Sequence, residues 1–308
     1  MVKNKTNVKK LTLSILIPLI VIFSVSLYVI FGIEESTDVN IVDDYQPITV
    51  EEILSYSLEA HIVEMSDLSS NYRVFFTTTD ASNYVNDNGK LPKQGAKLII
   101  SDKLDPMWQK ITPNDNTVVI YPIFTAAAYN EPGFYTHFRG ECDERCVTNV
   151  SFEKPPGGYT SSMMATQIFN QLGYSFITDI DVDRNPEILK NYDTIILLHN
   201  EYVTQKMFDA VVSHPNIIFL YPNALYAEIT VNYDDNTMTL IRGHNYPEFE
   251  IKNGFDYEIE ERFHEYEYDS DCLDWEFVEF ENGHALTCYP DNVIYDTLEI
   301  IQKLKELK

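Results

Sequence analysis

Ser175-Phe-Ile-Thr-Asp-Ile180, Thr194-Ile-Ile-Leu-Leu198 and Asn216-Ile-Ile-Phe-Leu-Tyr221 decide how this chain folds. Their apolar residues run on without alternation, which marks strands of a parallel sheet buried on both faces. Helical stretches separate them. Asn185 is placed to cap one, with Pro186 at its first position. Thr204 caps another, which turns Met207, Phe208 and Val211 inward and stops at His214-Pro215. Upstream, Thr160 opens a helix with Met164, Ile168, Phe169 and Leu172 on its apolar face, and Gly173 ends it. Strand and helix in alternation predict an α/β fold, a doubly wound and mostly parallel sheet.

Outward from this segment the pattern loosens. Residues 49–69 carry apolar positions near helical spacing, and Lys97–Ser101 and Val118–Phe124 read as strands. On the C-terminal side, Thr230–Tyr233 and Thr237–Ile241 flank Asp234-Asp-Asn, and Trp275–Phe280 and His284–Cys288 flank Asn282-Gly283. Both read as added β-hairpins. Leu298, Ile301 and Leu304 mark an amphipathic closing helix over 294–307.

The N-terminal region sets the compartment. Lys3, Lys5, Lys9 and Lys10 precede an uncharged apolar run, Leu11–Ile33, and Glu34, Glu35 and Asp38 follow it. About 20 apolar residues cross a bilayer core as a helix, and lysines ahead of the span keep that side in the cytoplasm. The expected organisation is a cytoplasmic tail (1–10), one transmembrane helix (11–33), an acidic stalk (34–46), an N-terminal extracytoplasmic region (47–117) and the α/β domain with its hairpins and closing helix (118–308). The protein is then single-pass in the cell membrane, with its globular part outside. A cleaved signal peptide and a buried core helix are the competing readings.

Acids number 48 against 22 lysines and arginines, a net charge of −26. Beyond the four N-terminal lysines the balance is more negative still. Such a surface repels phosphates and excludes nucleic acid as a partner. With 21 Tyr and 17 Phe the chain is not a disordered acidic tail. Cys142, Cys146, Cys272 and Cys288 read as two disulfides in an oxidising compartment, with local pairing preferred among three connectivities. A four-thiolate zinc site is the alternative. A two-residue Asn282-Gly283 turn would set Cys288 opposite Phe277, so a 272–288 bond needs a bend before Trp275. Asn149-Val-Ser151 is a glycosylation sequon at Asn149.

In an open parallel sheet ligands bind beyond the carboxyl ends of the strands. Those ends are Asp179-Ile-Asp-Val-Asp183, His199-Asn-Glu-Tyr202 and Tyr221-Pro-Asn223, with Glu228 a little further on. The alternating Asp179, Asp181 and Asp183 give a partial match to a calcium loop, without its glycine and distal glutamate. The series Val150-Ser-Phe-Glu-Lys-Pro155, Gly173-Tyr174, Thr178-Asp-Ile-Asp181, Tyr192-Asp193 and His199-Asn-Glu-Tyr202 resembles the C-terminal domain of the N,N-dimethylformamidase large subunit. The resemblance covers roughly residues 118–230. It implies a class I glutamine-amidotransferase-like fold and a mononuclear iron site of two tyrosines and a glutamate that serves amide hydrolysis. Tyr202 matches by motif as a metal ligand and Tyr159 more loosely. Glu228 and Glu201 are candidates for the glutamate by proximity, and His199 and Glu201 for acid–base chemistry. A non-catalytic cell-surface module with a degenerate site is the second reading.

Overall fold

A computed structural model describes residues 45–56, 61–64, 72–78, 95–100, 108–113, 116–153, 162–255, 272–294 and 297–307. The apolar run at 11–33 and Tyr159 lie outside them. Residues Pro47–Lys308 form one compact unit, divided from Met1–Gln46. Among the described residues no helix is long and apolar enough to cross a membrane.

The stretch at 49–69 is not one helix. Helix α1 (Val50–Tyr56) is followed by β1 (His61–Glu64), where β-branched Ile62 and Val63 favour extended backbone. With β2 (Tyr72–Thr78) and β3 (Gly95–Ile100) it makes a three-stranded antiparallel sheet. Helix α2 (Trp108–Ile111) precedes β4 (Thr117–Tyr121). The expected strand to Phe124 stops at Tyr121. Pro122 has no N–H for the ladder, and Ile123–Ala128 turns into a wholly buried helix, α3. Next come α4 (Phe134–Phe138), β5 (Val150–Ser151), α5 (Met163–Gln171) and β6 (Ser175–Thr178).

Strand β6 ends two residues earlier than its apolar run suggests. Thr178 Oγ1 accepts the Asp181 N–H while Asp181 accepts the Thr178 N–H at 2.7 Å, a reciprocal cap that starts α6 (Asp179–Arg184). Then follow β7 (Thr194–Leu197), β8 (Tyr202–Thr204), α7 (Gln205–Val212) and β9 (Ile217–Phe219). The expected Thr204 cap is present, its hydroxyl accepting the Met207 N–H at 3.1 Å. Strands β10 (Ala227–Asn232) and β11 (Thr237–Arg242) form the first hairpin, β12 (Phe277–Phe280) and β13 (Gly283–Leu286) the second, and α8 (Leu298–Glu306) closes the chain.

The main sheet has the order β12-β13-β9-β7-β4-β6, parallel throughout except for the edge strand β12. Counted along the chain, its five parallel strands lie in the order 2-1-3-4-5. The winding therefore reverses between β4 and β7, the crevice where such sheets bind ligands. Val118–Tyr121, Ile195–Leu197 and Ile217–Phe219 are buried, as continuous apolar strands should be. Each such side chain contributes ~1.5–3 kcal/mol on burial. A second sheet, β5-β11-β10-β8, is mixed, with β8 parallel to β10.

The second hairpin turns at Glu281-Asn282, one residue before the expected Asn282-Gly283. Phe280 pairs with Gly283 and Phe277 with Leu286. The cause is β9. A Cβ on Gly283 would lie 2.3 Å from the Ile217 carbonyl oxygen, so the glycine belongs inside the sheet and not in the turn. The shifted register carries Cys288 beyond the strand, where it bonds Cys272, and Cys142 bonds Cys146.

Candidate functional site

The chain leaves β7 at Leu197 and enters β8 at Tyr202, crossing from the main sheet to the second one in four residues. That crossing is Leu198-His-Asn-Glu201. It is tightly wound: the Asn200 N–H donates to Leu198 O at 2.8 Å and the Glu201 N–H to His199 O at 3.0 Å. Thr125 of α3, just beyond β4, accepts the N–H groups of both Glu201 (2.9 Å) and Tyr202 (3.2 Å) on its hydroxyl. The Glu201 carbonyl accepts from the Tyr226 and Ala227 N–H groups at the start of β10. The crossing is thus pinned between the strand ends on either side of the reversal.

The Glu201 side chain is fully buried. Tyr129, one residue past α3, donates to its Oε2 at 3.0 Å. The Tyr135 hydroxyl, from α4, lies 2.7 Å from Tyr129 Oη and 3.3 Å from Glu201 Oε1. It has one proton and serves one of the two at a time. The two phenol rings stack with centroids 4.0 Å apart. His244 Nε2 lies 3.0 Å from Tyr135 Oη and 3.3 Å from Glu201 Oε1. His199 Nε2 lies 3.6 Å from Glu201 Oε2. The buried Tyr202 hydroxyl makes no hydrogen bond of full geometry; the Tyr135 phenol beside it interacts with it only loosely.

Burial pushes the Glu201 carboxyl up, but the His244 hydrogen bond, the charges of His244 and His199 and the Tyr129 hydrogen bond outweigh it and hold the group below the ordinary carboxylate range. Burial, then the Glu201 charge, push Tyr129 and Tyr202 well above the ordinary phenol value. The resting state is therefore a carboxylate ringed by neutral phenols. The His199 ring is held by Tyr221 (stacked, 6.0 Å) and by Tyr289 (edge-on, 5.4 Å), whose hydroxyl is 3.5 Å from Nδ1.

His199, Glu201 and Tyr202 are thus brought together. Glu228 is not with them. In the parallel pairing, Ala227 faces Tyr202 and Glu228 faces Val203, so the Glu228 side chain leaves the opposite face of its sheet. Tyr159 lies outside the described residues. Asn149 is exposed, in a left-handed conformation. The carboxylates at the end of β6 serve the fold: Asp179 accepts the Phe124 N–H at 2.9 Å and so caps α3, Asp181 caps α6, and Asp183 accepts the Thr204 and Tyr233 hydroxyls. Among the described residues no three His, Cys, Asp or Glu side chains are set to hold a metal ion. The donors at the crossing are chiefly phenols.

A family model described as N,N-dimethylformamidase beta subunit-like, C-terminal, matches residues 93–263, more than half of the chain. The chain belongs to that family. No curated protein matches it. The dimethylformamidase-like segment takes in β4, α3, α4, the 198–201 crossing and β10–β11, and so every donor of the cluster. Tyr129, Tyr135 and His244 were not found from the sequence. One signal was available for the two tyrosines: they follow the first parallel strand, whose carboxyl end forms the other half of the reversal. Nothing in the sequence marks His244.

Proposed function

We propose that this chain is a membrane-anchored extracytoplasmic amide hydrolase of the dimethylformamidase type, with ferric iron held by Glu201, Tyr129 and Tyr135. One observation carries the reading. A fully buried carboxylate and two partly buried phenols from separate elements meet at the reversal of the main sheet. Their separations of 2.7, 3.0 and 3.3 Å suit adjacent donors around a small hard cation, since metal–oxygen bonds of ~2.0–2.1 Å at right angles set oxygens ~2.8–3.0 Å apart. Shared protons hold oxygens at the same spacing, so a cation can replace the protons with little movement. Tyr202, the phenol matched by motif, adds an oxygen within the cluster.

When bound, the ferric ion supplies Lewis acidity toward an amide carbonyl. The chain's own residues do the rest. Glu201 keeps its charge although its side chain is fully buried. Thr125 and the start of β10 fix the crossing, and with it the carboxylate. His199, with its ring held by Tyr221 and Tyr289, is placed to pass a proton at Nε2 to the departing amine. The strand order supports the class I glutamine-amidotransferase-like version of the fold, but not its thiol chemistry. All four cysteines are in disulfides, and the turn after β9 reads Tyr221-Pro-Asn-Ala-Leu225. The disulfides and the apolar run at 11–33 support the extracytoplasmic, anchored placement.

The test is elemental analysis and visible absorption of the full chain purified in detergent. Stoichiometric iron with a tyrosinate-to-iron band is expected, with the band lost in Tyr135→Phe and in Glu201→Gln. Protein that stays colourless and metal-free after incubation with ferric iron would overturn the reading in favour of a non-catalytic surface module, in which the cluster is only a hydrogen-bonded support.

A further inference from the structure

We propose that His244 is a fourth donor to the same metal ion, through Nε2. The inference rests on the iron site proposed above and extends it to a residue outside the two-tyrosine, one-glutamate pattern. Nε2 stands 3.0 Å from Tyr135 Oη and 3.3 Å from Glu201 Oε1. These are the separations that the oxygens keep among themselves, so the nitrogen occupies a further corner of one donor cluster.

The backbone gives independent support. Gly243 and Tyr246 exchange hydrogen bonds of 2.9 and 3.1 Å around His244 and Asn245, whose φ angles are 56° and 65°. Positive φ at both central positions defines a primed two-residue turn, for which Asn-Gly or Asp-Gly are the favoured occupants. Histidine at the first position adds a Cβ penalty, and such strain persists where surrounding structure over-determines it, often at ligand clamps. Two features over-determine it here. The imidazole stacks on Phe138 at 4.7 Å and 15°, which aims its edge at the cluster. Gly243 is pressed onto β10, where a Cβ would lie 2.8 Å from Tyr226 O and 2.9 Å from Ala227 Cα. The strand that anchors the Glu201 carbonyl therefore also anchors the turn bearing His244. The His244 side chain is 24% exposed against 0% for Glu201, so with the partly exposed Tyr129 and Tyr135 it stands on the side of the cluster from which a metal ion can enter.

The experiment loads the full chain with Fe(III), added as its nitrilotriacetate complex, and records electron spin-echo envelope modulation together with metal affinity by competition. Imidazole nitrogen coupling is expected in the wild type. His244→Asn suits the left-handed backbone. It should keep the fold, checked by thermal unfolding without metal, and the tyrosinate band, but lose the coupling and bind at least ~10-fold more weakly, the lower end of what even outer partners of a metal site cost. Iron bound with no nitrogen coupling, or coupling that survives in His244→Asn and vanishes in His199→Asn, overturns the assignment while leaving the iron site standing. No iron in the wild type overturns both.

Discussion

Deleting the Tyr129 hydroxyl isolates the interaction that keeps a charge on the buried Glu201. Tyr129→Phe keeps the ring and its 4.0 Å stack on Tyr135 but removes the donor 3.0 Å from Oε2. A hydrogen bond to a buried charged group contributes ~1.5–3 kcal/mol, one to a neutral group ~0.5–1.5. Tyr129→Phe should therefore cost ~1.5–3 kcal/mol in the wild-type background and ~0.5–1.5 once Glu201→Gln has removed the charge. The coupling in the double-mutant cycle is then ~1–1.5 kcal/mol. Urea unfolding of the four proteins at pH 7, with a chelator to keep the donors metal-free, measures it. The pH dependence gives a second reading. Because Glu201 is held below its unfolded value, its stabilisation is present above the unfolded carboxylate range and is lost as pH falls through the folded value. Without the Tyr129 donor the folded value rises, so acid unfolding of Tyr129→Phe should begin at higher pH. Equal costs in both backgrounds, with an unmoved acid limb, would refute a charged Glu201 held by phenols.

Two further outcomes follow from the same geometry. Thr125→Val strips the acceptor from two buried N–H groups, those of Glu201 and Tyr202. The Glu201 N–H keeps its 3.0 Å bond to His199 O, so only the Tyr202 N–H is left unsatisfied. At ~1–3 kcal/mol for such a group the variant should destabilise by ~1–3 kcal/mol and, in hydrogen exchange, raise the rate of the Tyr202 amide more than that of Glu201. Asp291 is buried beside Tyr221, whose hydroxyl donates to it at 2.8 Å. Burial pushes its carboxyl up from 3.8 to about 7, against the pull of hydrogen bonds from Tyr221, Ala165 and Met164. A raised folded value means stability that is full below the unfolded value and lost as pH rises through about 7, up to ~4 kcal/mol at 1.36 kcal/mol per unit. Tm of the wild type should fall between pH 4 and 8, and that of Asp291→Asn should stay flatter.

The sequence carried those features whose cause is local. A strand buried on both faces has to be apolar at every position, so the runs ending at Leu198 and Tyr221 were legible by themselves. So was the Thr204 cap, because a hydroxyl and an N–H three residues on need no partner from elsewhere. Paired cysteines close in sequence likewise announced their bonds. Where a neighbour from another part of the chain sets the outcome, the sequence misled. The Asn282-Gly283 turn is the favoured local signal, yet β9 needs a residue without a side chain at 283 and moves the turn by one.

The site divides in the same way. Its placement after the strand ending at Leu197 could be read, because the carboxyl ends of parallel strands gather in one crevice. Its membership could not. Tyr129 and Tyr135 stand 72 and 66 residues from Glu201, and His244 stands 109 from Tyr135. Which tyrosines among 21 turn toward the carboxylate depends on the break at Pro122, on α3 docking through Thr125 and on the left-handed turn at Gly243–Tyr246. Pro122 marks its own break, but the docking and the turn have no local signature, because each is an energy shared between segments that meet only when the two sheets have packed.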